Sequence, residues 1–224
     1  MTVKRGYIAG MGIVTPLGEG VVATENALRK GVGSIRPLTL FRVYGDTALP
    51  AGEVSGIPRT GPAPRTHLLA RKAADQAMDN CRKPPDAVVM GITTGGMLET
   101  EGLLKQGLKN PELFRLHSPG TVCEDIAARF KCKGPVLTVS TACSSGAVAI
   151  IIALKMIRAG VATRVLAGGA DSLCRLTYCG FNSLQLIDSL GARPFDQKRN
   201  CMSVGEGAAM LFITSEHTAK DCPE

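Results

Sequence analysis

The feature that most constrains the fold of this chain is an apolar stretch at residues 147–157, in which only Lys155 is charged. A helix that is apolar on nearly every side belongs in the interior of a protein or of a membrane. The stretch is shorter than the roughly 20 apolar residues that are needed to cross a bilayer. We therefore predict a central helix that is buried between layers of the protein and does not span a membrane.

Strand-like and helix-like segments alternate around this helix. Two short apolar runs at residues 135–140 and 164–169 precede and follow it, and both have the composition of strands. Further strands are predicted at residues 7–14, 87–92 and 207–214, and further helices at 21–30, 68–81 and 119–131, the last capped by Ser118. This alternation is typical of an α/β fold in which helices pack on a sheet.

Charge and cysteine content narrow the class of protein. The formal net charge is +7, but the basic residues are scattered among 19 acidic ones and are not interleaved with aromatic residues. That pattern favours an acidic partner over a nucleic acid. The eight cysteines form no CxxC pair and only three histidines are present, so neither a zinc site nor another cofactor is expected. Because no signal peptide opens the chain, we predict reduced thiols in a cytoplasmic protein.

Cys143 is the residue whose position suggests chemistry. It lies in the short turn between the strand at 135–140 and the apolar helix, and small residues such as Ser144 and Gly146 follow it. The positive end of the helix dipole and the unpaired N–H groups there favour thiolate over thiol, and the small neighbours leave room for a substrate. The alternative is a small buried apolar residue, which is what most free cysteines are.

Four motifs resemble those of one enzyme family, in the same order along the chain. Residues 139–146 (VSTACSSG) are similar to the active-site signature of β-ketoacyl-acyl carrier protein synthases and polyketide ketosynthase domains. Residues 10–18 (GMGIVTPLG) resemble the first strand and turn of that family, and 167–172 (AGGADS) resemble the end of one of its later strands. Residues 193–196 (RPFD) and 205–208 (GEGA) resemble its next conserved segment.

The resemblance implies an α/β, thiolase-like fold. In that fold two similar halves form α-β-α-β-α layers, and residues 1–224 would be the amino-terminal domain, with a mixed five-stranded sheet and a central buried helix. The carboxy-terminal half is then absent. The implied activity is that of a condensing acyltransferase, in which Cys143 takes an acyl group as a thioester. The implied partners are acyl carrier protein or acyl-CoA thioesters.

Less specific assignments follow from the same resemblance. Thr94 falls where the family lines its acyl tunnel and Phe181 near the far end of that channel, although a capping hydroxyl and a core aromatic are equally good interpretations. The family also implies a homodimer or heterodimer that pairs through the strand at 135–140. An acidic carrier protein is expected to dock on exposed cations near the tunnel mouth, which here are Arg59, Arg65 and Arg71, unless these form only a solvated basic face.

The catalytic His pair and Lys of the family lie in its carboxy-terminal half. Neither His67, His117 nor His217 lies in a segment that resembles those motifs, so this polypeptide alone is expected to have no condensing activity. One alternative is a non-catalytic, chain-length-factor-like partner subunit, against which Cys143 argues. A thiolase is another, against which the RPFD and GEGA segments argue. The acyl chain length and the pathway, fatty acid or polyketide, do not follow from the sequence.

Overall fold

A computed structural model describes residues 5–43, 49–59, 61–81 and 83–215. His217 therefore lies outside the described residues. The strands are β1 Gly6–Thr15, β2 Gly18–Glu19, β3 Arg36–Pro37, β4 Pro50–Gly52, β5 Ala87–Gly91, β6 Val136–Val139, β7 Arg164–Asp171, β8 Val204–Gly205 and β9 Gly207–Ser215. The helices are α1 Val21–Arg29, α2 Arg65–Met78, α3 Met97–Lys105, α4 Pro119–Arg129, α5 Ser145–Ala159 and α6 Arg175–Ser183, with 3₁₀ turns η1 Pro111–Phe114 and η2 Ala142–Ser144.

The main sheet is mixed, with strand order β2-β1-β9-β7-β5-β6. β5 runs parallel to β6 and β7, whereas β9 is antiparallel to β7 and β1. Five of its strands form the mixed sheet that was predicted, and the two-residue β2 extends it at one edge. A small second sheet of β3, β4 and β8 lies beside it.

Helices cover both faces of the main sheet. Successive side chains of β5 point to opposite faces, so each face can be identified from the β5 residues that pack on it. Val88 and Met90 lie in one apolar cluster with residues of α2 and α4. Ala87 and Val89 lie in another with residues of α5. The predicted fold class, an α/β layered arrangement, is confirmed.

The apolar helix α5 packs on the sheet through one side. Ala149, Ala153 and Ile157 are buried there, whereas Ile151 on the other side is half exposed. By length and composition alone, the stretch Ala142–Ala159 would also pass for a membrane span. Its packing on β5 and β7 instead makes it a layer of the fold.

A glycine fixes how closely α5 approaches the sheet. A Cβ atom on Gly91, at the end of β5, would overlap the carbonyl group of Ser145 and the amide nitrogen of Gly146. Glycine is therefore the residue that permits this contact. As a result, the first turn of α5 and the turn before it lie at the carboxyl end of β5.

The structure contains elements that the sequence did not predict. Helices α3 and α6 and the turn η1 were missed, and α2 begins at Arg65 rather than at Leu68. In α6 a central Gly180 and several aromatic and β-branched residues weaken the helix signal. The cap at α4 was predicted correctly, since Ser118 Oγ accepts a hydrogen bond from the Gly120 amide at 3.3 Å.

Candidate active site

Cys143 lies in the 3₁₀ turn η2, directly between strand β6 and helix α5. Its side chain is exposed. Ala142, the residue before it, has a φ of 52°, which is in the left-handed region that residues with a Cβ avoid. Strain of this kind costs about 1–2 kcal/mol and persists only where the surrounding structure fixes it.

Hydrogen bonds within the turn fix this conformation. Ser145 Oγ accepts from the Thr141 amide at 2.9 Å and donates to the Ala142 carbonyl at 2.7 Å. Ser144 Oγ donates to the Thr141 carbonyl at 2.8 Å. The amide of Ser144 also donates to that carbonyl. The serines of the motif therefore brace the turn and leave the Cys143 side chain projecting from it.

Cys143 lines a cavity of about 590 Å³. The other two predicted site residues, Thr94 and Phe181, line the same cavity. Thr94 comes from the turn after β5 and Phe181 from α6, so three distant segments meet here. Most of the remaining lining is small or apolar, and part of it comes from the ends of β1, β7 and β9. A cavity at the carboxyl ends of parallel strands is a usual place for a ligand in α/β proteins. Its mostly apolar lining suits an apolar group attached to the sulfur.

The Thr93–Thr94 wall of the cavity is held by Asp171, at the end of β7. One carboxylate oxygen of Asp171 accepts from the Thr94 amide at 2.6 Å and from its hydroxyl at 2.7 Å. The Thr93 amide donates to both carboxylate oxygens at 3.0 Å. The Thr94 hydroxyl is thus hydrogen-bonded to the protein while its side chain lines the cavity. Asp171 belongs to the AGGADS segment, but no local sequence pattern indicates its contact with Thr93 and Thr94.

Burial distinguishes the other thiols from Cys143. Burial raises the pKa of the Cys123 thiol to about 11, and it also raises the pKa of the Cys174 thiol, which lines the same cavity as Cys143. A raised pKa leaves less thiolate at neutral pH, so these two cysteines are poor nucleophiles. The seven cysteines within the described ranges are all free of disulfides.

The expected docking role of Arg65 is wrong. Arg65 is buried, because its guanidinium pairs with the carboxylate of Glu206, with Nε to Oε2 at 2.9 Å. Glu206 also accepts hydrogen bonds from the amides of Val54 and Leu173. The pair ties the start of α2 to the segment before β9. A sequence does not show that a basic residue at a helix start will meet a glutamate 141 positions later.

The other nominated cations and the histidines have different surroundings. Arg71 is paired with Asp125 at 2.6 Å, whereas Arg59 is exposed on the rim of a second, larger cavity. His67 is buried and contacts the Thr121 hydroxyl, and His117 Nδ1 lies 2.9 Å from the Thr100 hydroxyl. Neither histidine lines the Cys143 cavity.

The second cavity has a volume of about 1100 Å³ and lies between α3, η1 and residues 59–64. Burial raises the pKa of Glu99 in its wall, although the Arg65 amide donates to that carboxylate at 2.7 Å. None of the three nominated site residues lines this cavity. Across the described ranges, we find no group of three His, Cys, Asp or Glu side chains arranged to hold a metal ion.

Known proteins are similar to this chain in sequence and in fold. The chain matches the family model "Beta-ketoacyl synthase, N-terminal domain" over residues 7–219. It is 29% identical to the "Tetracenomycin polyketide synthase ketoacyl synthase alpha subunit" of Streptomyces glaucescens, over 96% of this chain and 58% of that protein. It is 28% identical to the "3-oxoacyl-[acyl-carrier-protein] synthase 2" of Rhizobium meliloti (strain 1021), over 94% of this chain and 59% of that protein.

A solved structure of a ketosynthase is also similar to this chain in fold. The structure described as "The ishigamide ketosynthase/chain length factor" superposes with a TM-score of 0.87 at 28% identity, over 98% of this chain and 60% of that one. This chain thus spans about three fifths of the length of the curated relatives that it matches. Because the family model covers nearly all of the sequence, the chain belongs to the β-ketoacyl synthase family and carries its amino-terminal domain.

Proposed function

We propose that this chain is the acyl-accepting part of a condensing acyltransferase of the 3-oxoacyl-[acyl carrier protein] synthase type. The Cys143 thiolate attacks the carbonyl of an acyl thioester, and the carrier thiolate leaves. In the complete enzyme, a malonyl thioester then loses CO₂, and the resulting carbanion attacks the Cys143 thioester. A carbon–carbon bond forms and the Cys143 thiolate is released.

The observation that carries this proposal is the exposed thiol on a strained turn, at the mouth of a mostly apolar cavity. Exposure gives the sulfur access to a carrier-bound thioester, and the cavity of about 590 Å³ gives the acyl chain a place to bind. The open end of a strand-to-helix turn also presents amide N–H groups that can stabilise an oxyanion.

The first experiment measures thiol reactivity in the folded chain. With limiting iodoacetamide, peptide mapping should show Cys143 labelled fastest of the cysteines, and Cys201 is the internal comparison because it is partly buried. Incubation with acyl-CoA should then add one acyl group to the wild type and to Cys201→Ala, but none to Cys143→Ala. Labelling of Cys143 no faster than that of Cys201 would remove it as the nucleophile.

Condensation requires groups that the described part of the chain does not bring to the Cys143 cavity. The family's His pair and Lys have no counterpart in the described cavity, whose lining includes no His or Lys. We therefore expect acyl transfer to Cys143 but no β-ketoacyl product from residues 1–224 alone. Product formed by the pure chain from acyl and malonyl carrier proteins would contradict this part of the proposal.

The proposed partner is an acyl carrier protein, which the name of the 3-oxoacyl synthase relative gives for that enzyme, and the net charge of +7 favours an acidic one. Of the three nominated cations only Arg59 remains exposed without an ion pair among the described residues. Because charge attraction is screened over about 8 Å at physiological ionic strength, Arg59→Glu should weaken carrier binding more at low salt than at high salt. If the wild type and Arg59→Glu bind the carrier protein equally well at low salt, Arg59 is not part of the docking surface.

Dimer formation is proposed through β6, the strand that ends the main sheet in the described part of the chain. Leu137 on this strand is 41% exposed, as expected for a side chain at an interface that the monomer leaves open. The partner is a second copy or a related subunit. A cytoplasmic location fits reduced thiols and a carrier-protein substrate.

A chain-length-factor-like role is the second candidate function. The similar structure that contains a ketosynthase and a chain length factor supports a heterodimeric setting. The acylation experiment separates the two roles, because only the catalytic one requires Cys143.

A further inference from the structure

Helix α6 forms one wall of the cavity that contains Cys143. Cys174, Thr177 and Phe181 all line this cavity, and their spacing of three and four residues puts them on one side of the helix. Any movement of α6 along or across its axis therefore changes the space beside the Cys143 sulfur.

The amino terminus of α6 is capped from another helix. The N-cap residue, Cys174, makes no side-chain capping hydrogen bond to the backbone of the first turn, although its Sγ donates to the Thr177 hydroxyl at 3.2 Å. Instead, the carboxylate of Glu101, in α3, accepts from the Arg175 amide at 2.9 Å and from the Leu176 amide at 2.7 Å. A carboxylate at this position satisfies two orphan donors and interacts favourably with the positive end of the helix dipole.

Other contacts hold α6 on the side that faces away from the cavity. The Arg175 guanidinium lies over the Phe41 ring, 5.4 Å from its centre, and the Tyr178 hydroxyl donates to the Pro50 carbonyl at 3.0 Å. Directly after the helix, Leu184 is 67% exposed. Among these contacts, Glu101 is the one that accepts from the backbone amides of the first turn, from which Thr177 extends into the cavity.

We propose that Glu101 is a positioning residue that sets the size of the acyl cavity by fixing α6. Glu101 lines the larger cavity of about 1100 Å³ and is not among the residues around Cys143, so it acts without touching the acyl group. This inference deepens the proposed function, because it names the device that determines which acyl chains fit beside Cys143.

The test uses N-alkylmaleimides with chains from ethyl to octyl, which react with an exposed thiol without any acyl transfer. Peptide mapping gives the rate at Cys143 for each chain length in the full chain. The variants are Glu101→Ala, which removes both hydrogen bonds, and Glu101→Gln, which keeps one acceptor oxygen. Glu112→Ala is the matched control, because Glu112 lines the same larger cavity and, among the described residues, its carboxylate forms no hydrogen bond or ion pair with α6.

We expect Glu101→Ala to change the ratio of octyl to ethyl rates by about fivefold, the factor that corresponds to losing a helix cap. Glu101→Gln should give a smaller change of the same sign, and Glu112→Ala none. If both Glu101 variants keep the wild-type ratio, Glu101 is not a positioning residue. If Glu101→Ala does not fold, Glu101→Gln decides by the same criterion.

The maleimide readout separates this inference from the proposed function. A wild type that reacts with maleimides but takes no acyl group from acyl-CoA contradicts the proposed function and leaves the Glu101 result valid. A wild type that is acylated, with a chain-length profile that Glu101→Ala does not change, contradicts the Glu101 inference alone.

Discussion

The two faces of the main sheet are covered to different degrees. On one face α2 has nine of its fourteen residues buried, and α4 packs beside it. On the other face α5 has five of its fifteen residues buried, although it is the more apolar helix. The more polar helix α2 is thus the more deeply buried one, whereas the more apolar helix α5 leaves one side exposed to solvent.

The features that stabilise the fold lie on the α2 face of the sheet, and those expected to take part in the reaction lie on the α5 face. The α2 face contains the buried Arg65–Glu206 pair and the largest apolar cluster. The α5 face contains the strained turn, the exposed Cys143 and the cavity beside it. We infer that substitutions on the α2 face mainly change the free energy of unfolding, and that those near the start of α5 mainly change reactivity.

The largest expected effect is the loss of the buried ion pair on the α2 face. Arg65→Ala leaves the Glu206 carboxylate buried without its cation, which typically costs about 3–5 kcal/mol. Urea denaturation should show this loss of unfolding free energy. Arg29→Ala, which breaks an exposed pair with Glu25, is the control and should cost no more than about 0.5 kcal/mol.

A similar cost for the two arginine variants would show that the Arg65–Glu206 pair is not buried as described. The expected result also replaces the idea that Arg65 faces a carrier protein. A surface docking residue can be reversed in charge with little loss of stability, whereas Arg65 cannot.

The second prediction compares apolar side chains on the two helices. Leu69 of α2 is fully buried, so Leu69→Ala should cost about 2–5 kcal/mol. Ile151 of α5 is 50% exposed, so Ile151→Ala should stay within about 1 kcal/mol. The same denaturation experiment measures both. Equal costs would mean that the outer side of α5 is covered in solution, for instance by a second copy of the chain.

Much of the fold could be predicted from the sequence because its signals are local. The strands β1, β5, β7 and β9 are continuous apolar runs ending at glycines or polar turns, and α5 is marked by its own composition. The helices α3 and α6 lack such a signal. Both depend on contacts from elsewhere in the chain, such as the cap that Glu101 gives to α6.

The candidate site likewise has a part that the sequence predicts and a part that depends on contacts between distant residues. Cys143 was predicted from a motif, and Thr94 and Phe181 from less specific resemblance to the family; the structure brings all three to one cavity. The contacts that hold the cavity walls, from Asp171 and Glu101, join residues more than 70 positions apart. No local pattern encodes such pairings, and the same reason explains why Arg65 was wrongly expected at the surface.

The third prediction concerns pH and the α2 face. Burial lowers the pKa of His67 from its ordinary value of 6.5, and the nearby Asp125 and Arg71 act on it in opposite directions. The unfolded chain therefore takes up a proton at a higher pH than the folded one does. Stability should fall as the pH decreases below about 6.5, by at most about 1.4 kcal/mol per pH unit for one proton.

The variant His67→Gln isolates this contribution. It removes the titrating ring while its amide can still face the Thr121 hydroxyl, which lies 3.2 Å from His67 Nε2. Unfolding free energies at pH 7.5 and 5.5 should differ less in the variant than in the wild type. An identical difference in both proteins would show that His67 titrates normally in the folded state.

The smallest expected effect lies on the α5 face, at the residue before the reactive thiol. Ala142 has a φ of 52°, so Ala142→Gly relieves strain of about 1–2 kcal/mol but adds flexibility to the unfolded chain worth about 0.5–1 kcal/mol. The net result should be a gain of about 0.5 kcal/mol in stability. Ala147→Gly, at an exposed position inside α5, is the matched control and should lose about 0.5–1 kcal/mol.

The sign of this small change in stability tests whether Ala142 is strained in solution. If the strained turn serves the chemistry, Ala142→Gly should stabilise the protein and yet slow the labelling of Cys143 by iodoacetamide, because the turn no longer holds the thiol outward. Ala147→Gly should destabilise it without changing that rate. Destabilisation by both glycines would show that Ala142 is not strained in solution. Unchanged labelling in Ala142→Gly would mean that the turn's conformation is incidental to the reactivity of Cys143.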